Sequence, residues 1–248
     1  MGSIENNQTA IPHATISPAI FYWGTPVVLI TTQNPDGTSN IAPMSSAWWL
    51  GNRCMLGLGA ISQTSINLIR TKQCVLNLAS DDMADAINAL ARTTGSPEIL
   101  TAQPGDGYKY FKKMNGYEYV PDKFGRAGLT ALKSDLVVPP RIEECPAQME
   151  AELVGVYEMM QDADVGGFIA LEVKVVRTHV HQYIRMEGSE NRIDPDKWMP
   201  MIMSFQELYG LKGKKVEKSE LARISEEEYR GFSNAAEVEG LQVESEGV

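Results

Sequence analysis

The side chains best placed to do chemistry lie between residues 40 and 67. Asn40, Ala42, Pro43, Met44, Ser45 and Ser46 close a segment whose side chains alternate on a period of two, so they read as the end of a strand. Ser62, Gln63 and Thr64 then open a short helical stretch, with Asn67 one turn beyond Thr64 on the same face. The first turn of a helix has unpaired N–H groups and the positive end of the helix dipole, so an anion is stabilised there. A phosphate at that point would find Ser62, Thr64 and Asn67 within reach. The plainer reading makes Ser62 an ordinary N-cap, with Thr64 and Asn67 merely exposed. Ile66 and Ile69 share another face of the same helix, and that face is expected to meet a core.

Other chemistries have weaker support. Gly57-Leu58-Gly59-Ala60-Ile61-Ser62 follows a strand and opens a helix, with Asp81 about 20 residues on, as in a dinucleotide-binding fingerprint. Ser62 replaces the third glycine, and a hairpin precedes the motif instead of a parallel unit. His179 and His181 are two apart on one strand, but no third metal ligand of suitable spacing accompanies them, so no metal is expected. His181 remains a candidate proton donor beside a bound substrate. No G-x-S-x-G, H-E-x-x-H or P-loop pattern occurs, so nucleophilic, zinc-protease and nucleotide-hydrolysis readings lack their motifs.

The paired segments NIAPMSS and SQTSINL resemble the flavin reductase-like proteins, which bind FMN in a split β-barrel. Members carry an N-x-A-P-x-S strand end beside the isoalloxazine ring and a Thr-x-x-Asn helix start that holds the phosphate. Here those positions are Asn40, Ala42, Pro43 and Ser45, then Thr64 and Asn67. Many members have Lys or Arg two residues before that Thr; this chain has Ser62. The phosphate charge must then be met elsewhere, and Lys112, Lys113 and Arg126 are the candidates. The resemblance covers roughly residues 20–230. It implies an antiparallel split barrel of Greek-key type with flanking helices, FMN as cofactor, NAD(P)H as electron donor and a homodimer.

The elements that must position these residues follow from pattern and turn chemistry. Phe21 to Thr32 reads as a strand, and Asn34-Pro35-Asp36-Gly37 as a tight turn into the next. Trp48 and Trp49 are adjacent on a strand, so one enters the core and the other faces a pocket or partner; Trp48 is the candidate substrate contact. Helical stripes are expected over 81–92 and within 105–119, where Tyr108, Phe111 and Met114 share a face. Residues 148–160 and 167–183 read as late strands. Their phase puts Arg177, His179 and His181 on the continuation of the apolar face unless a bulge intervenes. Residues 192–205 read as a turn into a helix, and 219–229 as a last short helix.

Domain organisation follows: a flexible arm over 1–20, the FMN-binding barrel over 21–183, an extension over 184–230 packed on the barrel or a partner subunit, and a disordered acidic tail over 231–248. A net charge of −10 argues against a nucleic-acid partner. Three widely spaced cysteines and no apolar run of membrane-spanning length suggest reduced thiols in a soluble cytoplasmic protein with no membrane contact. The expected function is an FMN-binding oxidoreductase that moves a hydride or electrons between NAD(P)H, flavin and an acceptor. The alternatives are a non-catalytic flavin-carrying electron-transfer module, or a specialised FMN-dependent enzyme acting on a small organic substrate.

Overall fold

Pro26 divides the first apolar run between two sheets. In the computed structural model, which describes residues 13–162 and 167–211, the strand expected over 21–32 is two strands, β1 (Trp23–Pro26) and β2 (Val28–Gln33). Between them Val27 donates its N–H to the carbonyl of Met201, so the chain leaves a small C-terminal sheet as it enters the large one. The turn at 34–37 forms as expected, with Gly37 at positive φ, and returns the chain as β3 (Ser39–Met44).

Beyond it come β4 (Ala47–Leu50), β5 (Arg53–Gly59), α1 (Gln63–Thr71), β6 (Gln73–Leu78) and α2 (Ala84–Ala91). A connecting region holds β7 (Thr93–Thr94), α3 (Tyr108–Met114), β8 (Glu118–Tyr119), α4 (Lys123–Ala127), β9 (Ala131–Leu132) and β10 (Arg141–Ile142). The long hairpin of β11 (Ala147–Met159) and β12 (Phe168–Val180) follows, then β13 (Met201–Ser204) and β14 (Glu207–Gly210).

Seven strands form one antiparallel sheet in the order β3-β2-β6-β11-β12-β5-β4. Its two edge strands, β3 and β4, are consecutive in the chain and joined only by Ser45 and Ser46. That link spans about 10 Å at full stretch, so the sheet must curl until its edges meet. The ladder does not close across them, which leaves a barrel split at the 45–46 link. Ser46 is fixed there, its carbonyl accepting the Gly57 N–H at 2.8 Å and its hydroxyl lying 3.1 Å from the Tyr22 hydroxyl. The fold is thus mainly β, a split antiparallel barrel with flanking helices.

Two apolar clusters hold it. Val28, Ile30, Leu56, Leu76, Leu171 and Val173 fill the barrel, and Leu68 of α1 packs among them. Leu29, Ile41, Ile87, Leu90 and Ile142 pack the outer face against α2. The α1 face differs from expectation. Ile66 and Ile69 are 46% and 38% exposed, whereas Thr64, Ser65, Asn67 and Leu68 point inward. The inward face is polar because β2 presents buried hydroxyls that need partners: Asn67 donates to Thr32 Oγ1 at 3.1 Å.

Two further expectations are corrected. A bulge at Val176 does intervene in β12, where consecutive Glu150 and Ala151 face Arg177 and Val175. Arg177 and His179 therefore leave the apolar face and join the side that carries Glu150. The helix expected up to Phe205 does not form; Pro195 and Pro200 interrupt it, and Met201–Ser204 pairs with β1 instead. Phe205 and Gln206 both take positive φ, at 47° and 71°, in the two-residue turn to β14, a turn their residue types do not announce. Residues 1–12 of the arm expected over 1–20, the helix over 219–229 and the tail over 231–248 lie outside the described residues. Among the described residues no helix is long and apolar enough to cross a membrane.

Candidate functional site

The end of β3 and the start of α1 meet in one cleft. Asn40, Ala42, Pro43 and Met44 line one side, and Ser62, Gln63 and Thr64 the other. Helix α1 is capped as its sequence dictates: Ser62 Oγ accepts the Ser65 N–H at 3.1 Å, and the first turn carries no acidic side chain. Thr64 is 3% exposed, and its hydroxyl accepts the Asn40 amide at 3.1 Å. Among the described residues no acceptor takes the Thr64 hydroxyl proton, which is left to a ligand. Asn40 is itself buried, and its Oδ1 has no hydrogen-bond partner among the described residues. A buried amide oxygen without a partner is costly unless a donor arrives. Gly95 closes over it: a Cβ at that position would stand 2.5 Å from Asn40 Oδ1, so only glycine lets the chain pass there.

The remaining wall comes from the connecting region and supplies positive charge. Lys112 of α3 lies over the Tyr108 ring at 4.6 Å and the Tyr117 ring at 5.5 Å, and all three line the cleft. Lys123, the first residue of α4, is 3% exposed, and its Nζ donates to the Ile41 carbonyl at 2.8 Å. Burial, helped by the charge of Lys112, pushes the Lys123 ammonium down to about 7. Among the described residues the lining holds no carboxylate. The enclosed part is about 170 Å³, below the ~300 Å³ at which small-molecule pockets usually begin, so a larger ligand extends through its open side.

Several candidate residues stand elsewhere. Asn67 lies behind the cleft, fully buried, donating to Thr32 Oγ1 and Asn34 Oδ1 and accepting from Gln63. It braces α1 against the first hairpin and has no group left for a ligand at its amide nitrogen. Ser45 and Ser46 form the split-barrel link and do not line the cleft. His181 is not in the cleft either; its Nε2 lies 2.8 Å from the Glu143 carbonyl and its ring leans on Tyr183. Trp48 is 58% exposed on the β4 edge, outside the cleft lining, while Trp49 packs on the barrel core. Of the three cations considered for the phosphate, only Lys112 lines the cleft. Lys113 donates to the Leu100 and Ala102 carbonyls, and Arg126 pairs with Glu118. Lys123 escaped sequence reading because nothing local marks it as buried; its apolar neighbour Phe124, packed on the outer-face core, was the available signal.

Asp135, Glu150 and His179 bring ligand-type atoms within 4.8 Å of one another. Each is already engaged. Glu150 accepts the N–H groups of Asp135, Leu136 and Val137 at 2.9, 2.6 and 3.2 Å and faces His179 Nε2 at 2.7 Å. Arg177 holds Asp135 at 2.7 Å. This is a hydrogen-bonded latch for the 135–137 loop.

The split antiparallel barrel thus carries a cleft between a strand end and a capped helix start, with two lysines in its lining. The pattern of the flavin reductase like domain matches residues 22–187, and the chain belongs to that family. A curated relative, the uncharacterized protein YdfE of Bacillus subtilis (strain 168), is 37% identical over 204 residues, covering 82% of this chain and 91% of its own. Among solved structures the fold is similar to flavoredoxin of Desulfovibrio vulgaris (Miyazaki F), with a TM-score of 0.64 at 16% identity over 86% of this chain and all of that one. It is also similar to nitrilotriacetate monooxygenase component B from Bacillus cereus, with a TM-score of 0.62 at 19% identity over 84% of this chain and all of that one.

Proposed function

We propose that the protein is an FMN-dependent oxidoreductase that draws electrons from NAD(P)H and delivers them to a small-molecule acceptor. The observation that carries this reading is the cleft itself, where Asn40 with its unpartnered Oδ1, the free start of α1 and two lysines converge without a carboxylate. These residues fit the group. Thr64 and the α1 N–H groups would hold the phosphate, with Lys112 and Lys123 supplying the charge that Ser62 does not. Asn40 and the strand end from Ala42 to Met44 would meet the uncharged part of the ligand. When bound, the flavin supplies the redox chemistry, accepting a hydride at N5 and passing electrons on. The chain's own part is to bind, orient and shield; no side chain in the cleft need act as a general base. One neighbour is named a flavoredoxin and the other a monooxygenase component, which supports this reading over a binding module of another class.

Purified apoprotein titrated with FMN should show saturable quenching of flavin fluorescence, with tighter binding of FMN than of riboflavin. Equal affinity for the two would remove the phosphate-site argument. NAD(P)H oxidation by the loaded protein separates a reductase from a non-catalytic flavin carrier, and turnover of a candidate organic substrate identifies a specialised enzyme.

We also propose a C₂ homodimer. The β4 edge carries Trp48 and Leu50, 58% and 73% exposed, and the small C-terminal sheet exposes Trp23, Phe205 and Tyr209. Light scattering at micromolar concentration should give twice the 27.3 kDa chain mass; a monomer mass would oppose the pairing.

A further inference from the structure

The cleft carries more positive charge than its surroundings balance, in a chain whose net charge is −10. Lys123 Nζ has one hydrogen-bond partner among the described residues, the Ile41 carbonyl, and neither Lys123 nor Lys112 makes an ion pair. Each element around Lys123 fails to supply a counter-charge. Its packing partner β3 has no titratable side chain, and on α2 Asp85 is exposed. On its own helix, Asp122 turns its carboxylate to the Gly125 N–H, and Arg126 pairs with Glu118. On α3, Lys109 pairs with Glu98 and Lys113 binds two carbonyls, while Tyr108 and Tyr117 flank Lys112. The first turn of α1 has no acid, and Arg70 at its far end donates to the Gln33 carbonyl.

We propose that Lys123 determines the specificity of this cleft for a flavin with a terminal phosphate, by taking up a proton from solvent as the phosphate dianion enters. The proposal rests on the flavin reading above. No covalent bond changes: one proton moves from bulk water to Nζ, and the ammonium then donates to a phosphate oxygen as well as to the Ile41 carbonyl. Riboflavin brings no charge and calls for no proton. A pyrophosphate diester brings one charge per phosphate, without the terminal dianion that favours the second cation most.

The sign of the pH dependence follows from this coupling. Burial and Lys112 hold the free Lys123 ammonium down at about 7, so above that pH the free Lys123 is mostly the neutral amine. A dianion beside it restores the ammonium, so FMN binding takes up a proton above about pH 7 and weakens as pH rises, approaching tenfold per pH unit. Below about pH 6 the phosphate itself gains a proton and binding weakens again.

The test uses the full chain as apoprotein. Dissociation constants for FMN and riboflavin are measured by flavin fluorescence from pH 6.5 to 8.5 at constant ionic strength. The FMN constant should rise roughly tenfold or more between pH 7 and 8.5, while that for riboflavin stays level. Calorimetry at pH 8 in buffers of different ionisation enthalpy should report uptake of up to about one proton with FMN and none with riboflavin. Lys123→Arg, whose charge is permanent, should flatten the FMN profile, whereas Lys112→Met, which removes one of the two effects that hold Lys123 down, should keep the fall and move its onset to higher pH. Tight FMN binding that is level from pH 7 to 8.5 without proton uptake would overturn the role of Lys123 and leave the flavin reading standing. Absence of saturable FMN binding at every pH would overturn both.

Discussion

Replacing Glu150 with alanine should lower the unfolding free energy by about 3–5 kcal/mol, since three backbone N–H groups lose their acceptor at roughly 1–3 kcal/mol each when buried. Glu150 has no exposed surface, and its two oxygens serve four partners. Alanine leaves the N–H groups of Asp135, Leu136 and Val137 without their acceptor and His179 without its 2.7 Å neighbour. His179→Ala removes only one of those partners and should cost about 1.5–3 kcal/mol, the worth of a hydrogen bond to a charged group. Urea unfolding of the two variants beside the parent measures both, as shifts in midpoint at constant slope. A Glu150→Ala cost under 1 kcal/mol would mean that the 135–137 loop is held by something else. The pH dependence has a definite sign. Burial pushes the Glu150 carboxyl up, but the Asp135 and Leu136 N–H groups and the His179 ring outweigh it and hold the carboxyl below its usual range. A depressed carboxylate stabilises the fold fully above its unfolded value of about 4.3, and this is lost as pH falls through the folded value. The alanine substitution should therefore cost less at pH 3 than at pH 7.

Lys123 works on stability in the opposite direction from its effect on the ligand. Its folded value of about 7 lies below the unfolded ~10.4, so between the two the unfolded chain binds more protons. The lysine therefore makes the apoprotein more stable as pH rises above 7, while its affinity for a phosphate falls. Cys54, Cys74 and Cys145 limit that window from above. Burial pushes all three thiols up, and an unfolded chain ionises them from about pH 8.5. A buried lysine that opposes folding where the ligand binds most tightly is a group retained for what enters the cleft.

What the sequence disclosed and what it hid divide along physical lines. The hairpin at 34–37 and the long strands over 148–160 and 167–183 were legible because turn residues and period-two alternation act locally. The meeting of Asn40–Met44 with Ser62–Thr64 was legible only through the family resemblance that pairs the two segments, because neither local pattern says what it meets. The α1 orientation was not. Ile66 and Ile69 look like a core stripe, but the barrel end offers Thr32 and Asn34 to be satisfied, and Asn67 serves them. Sequence periodicity weighs apolar area and does not see a buried hydroxyl awaiting a donor. The bulge at Val176 moved Arg177 and His179 to the other side of β12, and a one-residue slip leaves no mark in composition. Lys123 was hidden for a third reason: its burial comes from β3, more than 80 residues earlier in the chain, whose Ile41 carbonyl it reaches.

Thr64→Val should lower FMN affinity roughly 10- to 100-fold, the worth of one charge-assisted hydrogen bond at about 1.5–3 kcal/mol. The substitution keeps shape and β-branching, so α1 should keep its conformation, with Ser62 still capping Ser65. Two bonds depend on the hydroxyl. It accepts the Asn40 amide at 3.1 Å, and its proton is free for a phosphate oxygen. Valine therefore also leaves the Asn40 amide with only the 3.5 Å contact to Thr32 Oγ1, which disturbs the part of the cleft that any flavin would meet. The affinity for FMN alone cannot separate these effects, but the ratio of FMN to riboflavin affinity does. Loss of the Asn40 contact weakens both ligands alike and cancels; loss of the phosphate bond weakens FMN only. That ratio should fall roughly 10- to 100-fold, and Thr64→Ser, which keeps the hydroxyl, should restore most of it. The titrations are run where urea midpoints show each variant fully folded. If both ligands weaken equally in Thr64→Val, the hydroxyl serves Asn40 alone, and the phosphate is held by the α1 N–H groups and the two lysines.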